Sequence, residues 1–159
     1  MDMAALPYRP GVGIMLLNAA NQVFVAKRID TVSEAWQMPQ GGIDETEPPL
    51  QAALRELEEE TGIPSEHVSV LAESRDWVTY DLPEHLIPKL WKGQFRGQKQ
   101  KWFALRLHAP DNVINIHTEH PEFNEWKWID MPRLPDMIVP FKRELYQQLV
   151  EEFKHLVMR

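Results

Sequence analysis

Residues 47–64, EPPLQAALRELEEETGIP, constrain the chain most, because both ends and both faces of a helix can be read in them. Pro48 or Pro49 suits a first helical turn, where a missing N–H does no harm. Gly62 and then Pro64 stop the helix. Leu50, Ala53, Leu54 and Leu57 recur at spacings of three and four, which predicts one buried stripe. Glu56, Glu58, Glu59 and Glu60 crowd the last turns. Each residue turns about 100° on a helix, so Glu56, Glu59 and Glu60 share a face and Glu58 points away into solvent. Ala52 falls one turn back among the trio and is expected to leave room for a ligand near the backbone. Arg55 precedes Glu59 by four residues and can orient it by a salt bridge.

Such crowding is unfavourable by itself. Each like-charged pair at this spacing costs roughly 0.2–0.5 kcal/mol, and acids near a helix C-terminus oppose the dipole. A divalent cation reverses the sign. Hard Mg²⁺ or Mn²⁺ prefers carboxylate oxygens and keeps several waters. A Glu-rich face left in solvent is the ordinary alternative for these four residues alone.

The rest of the chain supplies partners for this helix. Val12 to Leu17 and Val23 to Ala26 are β-rich runs around the turn NAAN and read as a hairpin. A Gly-, Pro- and acid-rich loop, AWQMPQGGIDETEPP, precedes the helix. His67 to Ala72, Trp77 to Tyr80, Lys99 to Leu107 and Glu125 to Ile129 read as strands. Phe141, Leu145, Leu149, Phe153 and Leu156 make an amphipathic C-terminal helix over residues 141–157. This order predicts a single α+β domain over residues 1–159, a mixed sheet with helices packed on it. The length, 159 residues, suits one core, and 43% hydrophobic with 26% charged residues is globular composition. A net charge of −7 excludes an unspecific polycation for nucleic acid. The absence of cysteine excludes disulfides, thiolate catalysis and Cys-based zinc sites. No apolar run approaches the length of a membrane span, and the N-terminal stretch lacks a signal-peptide pattern, so a cytoplasmic protein is expected.

Spacing around the glutamates adds more. Gly41 is followed after five residues by Glu47, and after seven more by Arg55, Glu56, Leu57, then Glu59, Glu60, Gly62 and Ile63. This is Gx5Ex7REUxEExGU, with U aliphatic, matched at every fixed position over residues 41–63. A chance match in a chain this long is rarer than about one in a million. The pattern resembles the signature of the Nudix hydrolases. That resemblance implies a mixed sheet sandwiched between helices (α/β/α), with the signature as a loop-helix-loop. It also implies hydrolysis of a nucleoside diphosphate linked to another moiety, with Mg²⁺ or Mn²⁺, two or three ions. Glu56, Glu59 and Glu60 would hold the ions and do the catalysis. Gly41 would bring its backbone carbonyl close to one. Glu56 or Glu60 would take the proton of water, and Glu47, Arg55 and Gly62 would brace the motif.

YRPGVGIML, WQMPQGGID, GQKQKWFAL, PEFNEWKW and PFKREL extend the resemblance from Tyr8 to about Phe153. They are similar to the bacterial RNA pyrophosphohydrolases, a subgroup sharing this pattern with bacterial and plant dinucleoside polyphosphate hydrolases. The subgroup implies conversion of 5′-triphosphorylated or 5′-diphosphorylated RNA ends to 5′-monophosphate, and a related activity on diadenosine tetraphosphate. On this resemblance Glu122 matches a further metal ligand, against a surface loop acid as the alternative. Arg9 matches a phosphate-facing arginine. Arg28 matches a basic residue beside the cleft, with a hairpin-edge salt bridge as an equal alternative. Phe141 and Lys142 match a patch contacting the terminal nucleotide, though Phe141 also opens the apolar stripe of the last helix. Tyr80 is expected to line the cleft, and Trp36 is either a lid residue or core.

Charge distribution points the same way without the family. Lys89, Lys92, Arg96, Lys99, Lys101 and Arg106 lie between Glu84 and Asp111 with no acid among them, whereas seven acids face Arg55 between Asp44 and Glu60. A polyphosphate could meet metal at one end and lysines at the other. Trp91, Phe95 and Trp102 interleave with these bases and could stack a nucleobase, with strand core the safer assignment for Trp102. The six histidines show no ligand spacing and are read as structural or surface residues, although His120 lies beside Glu122. Three readings follow: an RNA 5′ pyrophosphohydrolase, a dinucleoside polyphosphate hydrolase, and a catalytically silent nucleotide-sensing domain. The intact glutamates disfavour the third. No obligatory protein partner is inferred.

Overall fold

The computed structural model describes residues 5–30 and 34–157. Residues 1–4, 31–33 and 158–159, which belong to the domain expected over 1–159, lie outside the described residues. Among the described residues seven strands form one mixed sheet: β1 (Tyr8–Leu17), β2 (Gln22–Arg28), β3 (Gln40–Gly42), β4 (Val68–Glu73), β5 (Val78–Asp81), β6 (Gly97–Leu107) and β7 (Phe123–Asp130). The order is β4-β6-β1-β2-β7, with β3 on β1 and β5 on β6. β1 and β6 run parallel over their whole length, from Tyr8–Gly97 to Leu17–Arg106; the other pairs are antiparallel.

The expected hairpin forms at its turn and then opens. Asn18 closes the turn, its side-chain oxygen accepting from the N–H of Ala20 and of Gln22 at 3.0 and 2.9 Å. Leu17 pairs with Val23, but beyond that point residues 37–42 enter between the strands. Gly11–Gly13 pair with β3, Ile14 N–H donates to the Pro39 carbonyl, and Ala26 exchanges both backbone bonds with Gln37. The loop read as irregular therefore holds a wedge strand. β2 turns away to pair with β7 along its length.

Alternation along β1 serves two cores. Val12, Ile14 and Leu16 face a layer with Phe24, Phe103, Phe123 and α1 (Pro49–Thr61). Met15 and Leu17 face a layer with Trp102, Met131 and Leu134, covered by α2 (Leu134–Met137) and α3 (Arg143–Phe153). The sheet is thus sandwiched between helices, the α+β arrangement expected. α3 is shorter than the span read from its stripe, because Pro140–Lys142 and Lys154–Leu156 are 3-10 turns. Leu145, Leu149 and Phe153 are buried, while Phe141 and Leu156 are half-buried.

α1 begins with Pro49 at its first position and ends at Gly62, whose φ of 73° is left-handed and whose N–H returns to Glu58 O. Its inward face differs from the expected stripe. Ala52, Ala53 and Leu57 are fully buried, whereas Leu50 is 36% exposed and Leu54 half-buried. Two alanines let the backbone approach the sheet closely, so Ala52 is core and leaves no room for a ligand. The line Ala52–Glu56–Glu60 consequently points inward, towards β3.

Candidate active site

Arg55 organises the acidic end of α1. Its Nε and Nη2 each donate to Glu47 at 2.9 Å, a bidentate pair. Nη1 donates to Glu56 at 2.9 Å and to Glu59 at 3.2 Å, and Nη2 also reaches the Gly42 carbonyl at 3.0 Å. Glu47 additionally accepts the Asp44 N–H at 3.0 Å. Its carboxyl is held below the usual range, first by Arg55 and then by Asp44. Glu47 and Arg55 therefore tie the loop to the helix.

Glu56 and Glu60 sit one turn apart on the inward line. A Cβ on Gly41 would lie 2.0 Å from the Glu56 carboxyl carbon, so only glycine lets that carboxylate lie over the β3 backbone. Burial pushes Glu56 up to about 6, against the lowering influence of Arg55. Glu60 is 4% exposed, and its Oε2 has no hydrogen-bond partner. Burial, then Glu56 and Glu122, push it well above the carboxylate range, while Arg28 and the Gln40 backbone oppose them. Glu59 is exposed, and Glu122 forms an ion pair with Arg28 at 3.3 Å.

Glu56, Glu59, Glu60 and Glu122 all line one cavity of about 400 Å³. Glu58 borders it too and is exposed to solvent, as expected. Thr118, Glu119 and His120 complete its lining. His120 is exposed, as expected, and beside Glu122 it borders the site. Among the described residues no three acidic or histidine side chains converge closely enough to ligate one ion as they stand. Arg55 draws Glu56 and Glu59 to itself, and Arg28 holds Glu122. The donor set nevertheless fits a hard divalent cation. It is all oxygen, and it contains a buried carboxylate oxygen without a partner.

The other expected residues gather near the wedge, and Arg28 among them touches the acids through Glu122. Arg9 is half-buried, 5.1 Å from the Trp91 ring centroid. Arg28 binds Asp30 through Nε and Nη2 at 2.8 and 2.7 Å, a salt bridge at the hairpin edge, and also pairs with Glu122. Lys142 is buried, its Nζ 4.9 Å from the Tyr80 ring centroid. Burial, and secondarily Arg28, bring its pKa down to about 8. Tyr80 is also buried and lies 6.1 Å from Phe141; burial pushes its hydroxyl up to about 12.

Beneath these residues runs a glutamine network the sequence reading missed. Tyr80 OH donates to Gln98, Gln100 donates to both Gln98 and Gln40, and Trp102 Nε1 donates to Gln100, all between 2.7 and 3.2 Å. Its signal was the period of two in Gln98, Gln100, Trp102, which the interleaved lysines obscured. The basic run itself does not form one patch. Alternation along β6 and the preceding loop spread it: Lys101 pairs with Glu73, Arg96 with Asp81, Arg106 with Asn18 and Asn21, and Lys99 lies over Trp77. Trp102 is core, and Trp36 is half-buried under Lys127 and Lys27.

Comparison with known proteins agrees with this geometry. Residues 7–149 match the model of the NUDIX domain. An RNA pyrophosphohydrolase of Sphingopyxis alaskensis is 55% identical, over 99% of each chain. One from Rickettsia typhi is 57% identical over 96% of this chain and 93% of its own. Among solved structures, an Ap4A hydrolase of C. elegans superposes with a TM-score of 0.67 over 92% of this chain and 98% of that one, at 18% identity, a likeness of fold alone. This chain belongs to the NUDIX domain family.

Proposed function

We propose that the chain hydrolyses the phosphoanhydride at the 5′ end of triphosphorylated or diphosphorylated RNA and leaves a 5′-monophosphate. The observation that carries this reading is the juxtaposition at the β3 wedge. Acids that include a buried, unpartnered oxygen stand beside Arg9, Arg28 and Lys142, and Arg28 touches them through Glu122. The near full-length identity to proteins named RNA pyrophosphohydrolase supports RNA as the substrate.

Glu56, Glu59, Glu60 and Glu122, with the Gly41 carbonyl, would hold Mg²⁺ or Mn²⁺, two or three ions. When bound, such ions neutralise the phosphate oxygens and acidify the attacking water. Arg9, Arg28 and Lys142 hold the phosphates, and Phe141 beside Tyr80 takes the first nucleoside. A water attacks phosphorus, its proton passes to a carboxylate, and diphosphate leaves a triphosphorylated end or phosphate a diphosphorylated one. Glu56 and Glu60, side by side on the inward line of α1, are the two carboxylates proposed for that proton. The reaction belongs in the cytoplasm, where such RNA ends arise. No helix among the described residues is long and apolar enough to cross a membrane.

A turnover assay with Mg²⁺ tests the reading, with a short 5′-triphosphate RNA and diadenosine tetraphosphate at equal concentration. A higher kcat/KM on RNA, with diphosphate or successive phosphates released, is expected. The reverse preference, giving ATP and AMP, would make the chain a dinucleotide hydrolase. No turnover of either would leave a silent domain.

A further inference from the structure

We propose that Trp91 is a positioning residue that presents the Arg9 guanidinium to the substrate phosphates. The proposal rests on the phosphate-facing role given to Arg9 above. Its starting observation is how Arg9 is held. Arg28, Arg55, Arg96 and Arg143 each bind a carboxylate, and Arg106 is taken up by Asn18 and Asn21. Arg75 and Arg133 are exposed. Arg9 is half-buried, yet among the described residues it makes no ion pair, and its charge rests against the Trp91 ring instead. In a chain of net charge −7, a half-buried arginine with no carboxylate partner among the described residues retains its donors for an outside anion.

The ring is placed there at a conformational cost. Trp91 and Lys92 have φ of 47° and 60°, and Gly93 follows at 70°. Consecutive left-handed residues, one of them a tryptophan, persist only where surroundings enforce them, and such outliers gather at ligand clamps. The surroundings are visible. Phe95 meets the Trp91 ring edge-on at 6.3 Å. Gly93 N–H returns to the Leu90 carbonyl, and Arg96 N–H ties the loop to Pro7 at the start of β1. Gly42 flanks the same guanidinium: a Cβ there would lie 2.3 Å from Arg9 Nη2. The Gly42 carbonyl in turn accepts from Arg55, so Arg9 is registered against the acidic end of α1. A cation over a ring keeps its charge and loses rotamers, whereas a carboxylate partner would compete with phosphate.

The test uses the full-length protein and the variants Trp91→Ala, Trp91→Phe, Arg9→Ala and the double Trp91→Ala/Arg9→Ala. Two quantities are read: KM and kcat on a short 5′-triphosphate RNA, and Kd for methylenediphosphonate with Mg²⁺ by calorimetry. The P–C–P bridge of that probe is not hydrolysed. Trp91→Ala is expected to raise both KM and Kd by roughly three- to thirty-fold with kcat nearly unchanged. Trp91→Phe should restore most of the loss. On the Arg9→Ala background, Trp91→Ala should change either constant less than about twofold, since coupled residues are non-additive. A merely structural tryptophan would lower kcat and the unfolding midpoint with or without Arg9, and that result overturns the proposal. So does an Arg9→Ala variant with unaltered affinity for the probe. If wild-type protein fails to turn over RNA, the proposed function falls alone, and the pattern of diphosphonate affinities decides this inference.

Discussion

Glu60 shows what the site costs the fold. Its buried carboxylate has an oxygen with no partner and two acids as neighbours. Glu60→Gln should therefore stabilise the metal-free protein by about 1 kcal/mol, because it removes a poorly compensated buried charge, while activity is lost. Urea unfolding with and without EDTA checks this. Glu59 differs, being exposed and held only by Arg55 at 3.2 Å. Glu59→Gln should drop kcat by roughly a hundredfold or more and shift stability by about 0.5 kcal/mol or less, the value of such a helix pair. Near-normal turnover in that variant would remove Glu59 from the ion-holding set. Lys142 carries a similar burden. Its folded pKa of about 8 lies below the ordinary lysine value, so its desolvation penalty is imposed in full below about pH 8 and eases as pH rises towards the unfolded value. Lys142→Met should raise the unfolding midpoint at neutral pH by a few degrees and weaken substrate binding.

Among the elements, the glycines of β1 and β3 separate packing from function. A Cβ on Gly13 would lie 2.3 Å from the ring of Trp102, which is fully buried and held by Gln100. Gly13→Ala should cost about 3 kcal/mol or fail to fold. A Cβ on Gly41 meets the end of the flexible Glu56 side chain, which can move aside. Gly41→Ala should thus keep most of its stability in thermal unfolding and lose activity. The sequence showed the elements whose pattern is their own: the β1–β2 turn, α1 with its proline start and glycine stop, β6, and the stripe of α3. It did not show β3, three residues whose pairing comes from β1 and whose composition reads as loop. Nor did periodicity show that α1 turns Ala52, Glu56 and Glu60 inward, because leucines outweigh alanines in a stripe although alanines permit the closer approach. Arg96, Lys101 and Arg106 were legible as charge but not as placement, since their partners come from β5, β4 and the Asn18 turn. The glutamates and Arg55 were legible because their spacing is local to one helix; the glutamine network was not, because it joins three strands.

For the whole molecule, an acidic chain concentrates an electrostatic conflict at one mouth of its sheet. Glu56 and Glu60 both have folded pKa values above the ordinary value of 4.5. A group raised in this way favours the fold most below its unfolded pKa, and that contribution is lost as pH rises through the folded value. The metal-free protein should therefore lose stability between about pH 4.5 and pH 6, by about 2 kcal/mol for Glu56. A cation that binds the ionised carboxylates restores it by mass action. The most direct measurement is the unfolding midpoint with and without Mg²⁺ at about pH 7.5 and about pH 5, for wild type and Glu56→Gln/Glu60→Gln. A rise of several degrees with Mg²⁺ in the wild type at the higher pH, nearly absent at the lower pH and in the double variant, is the predicted result. A Mg²⁺ shift that persists unchanged in the double variant would contradict the placement of the metal on this face of α1.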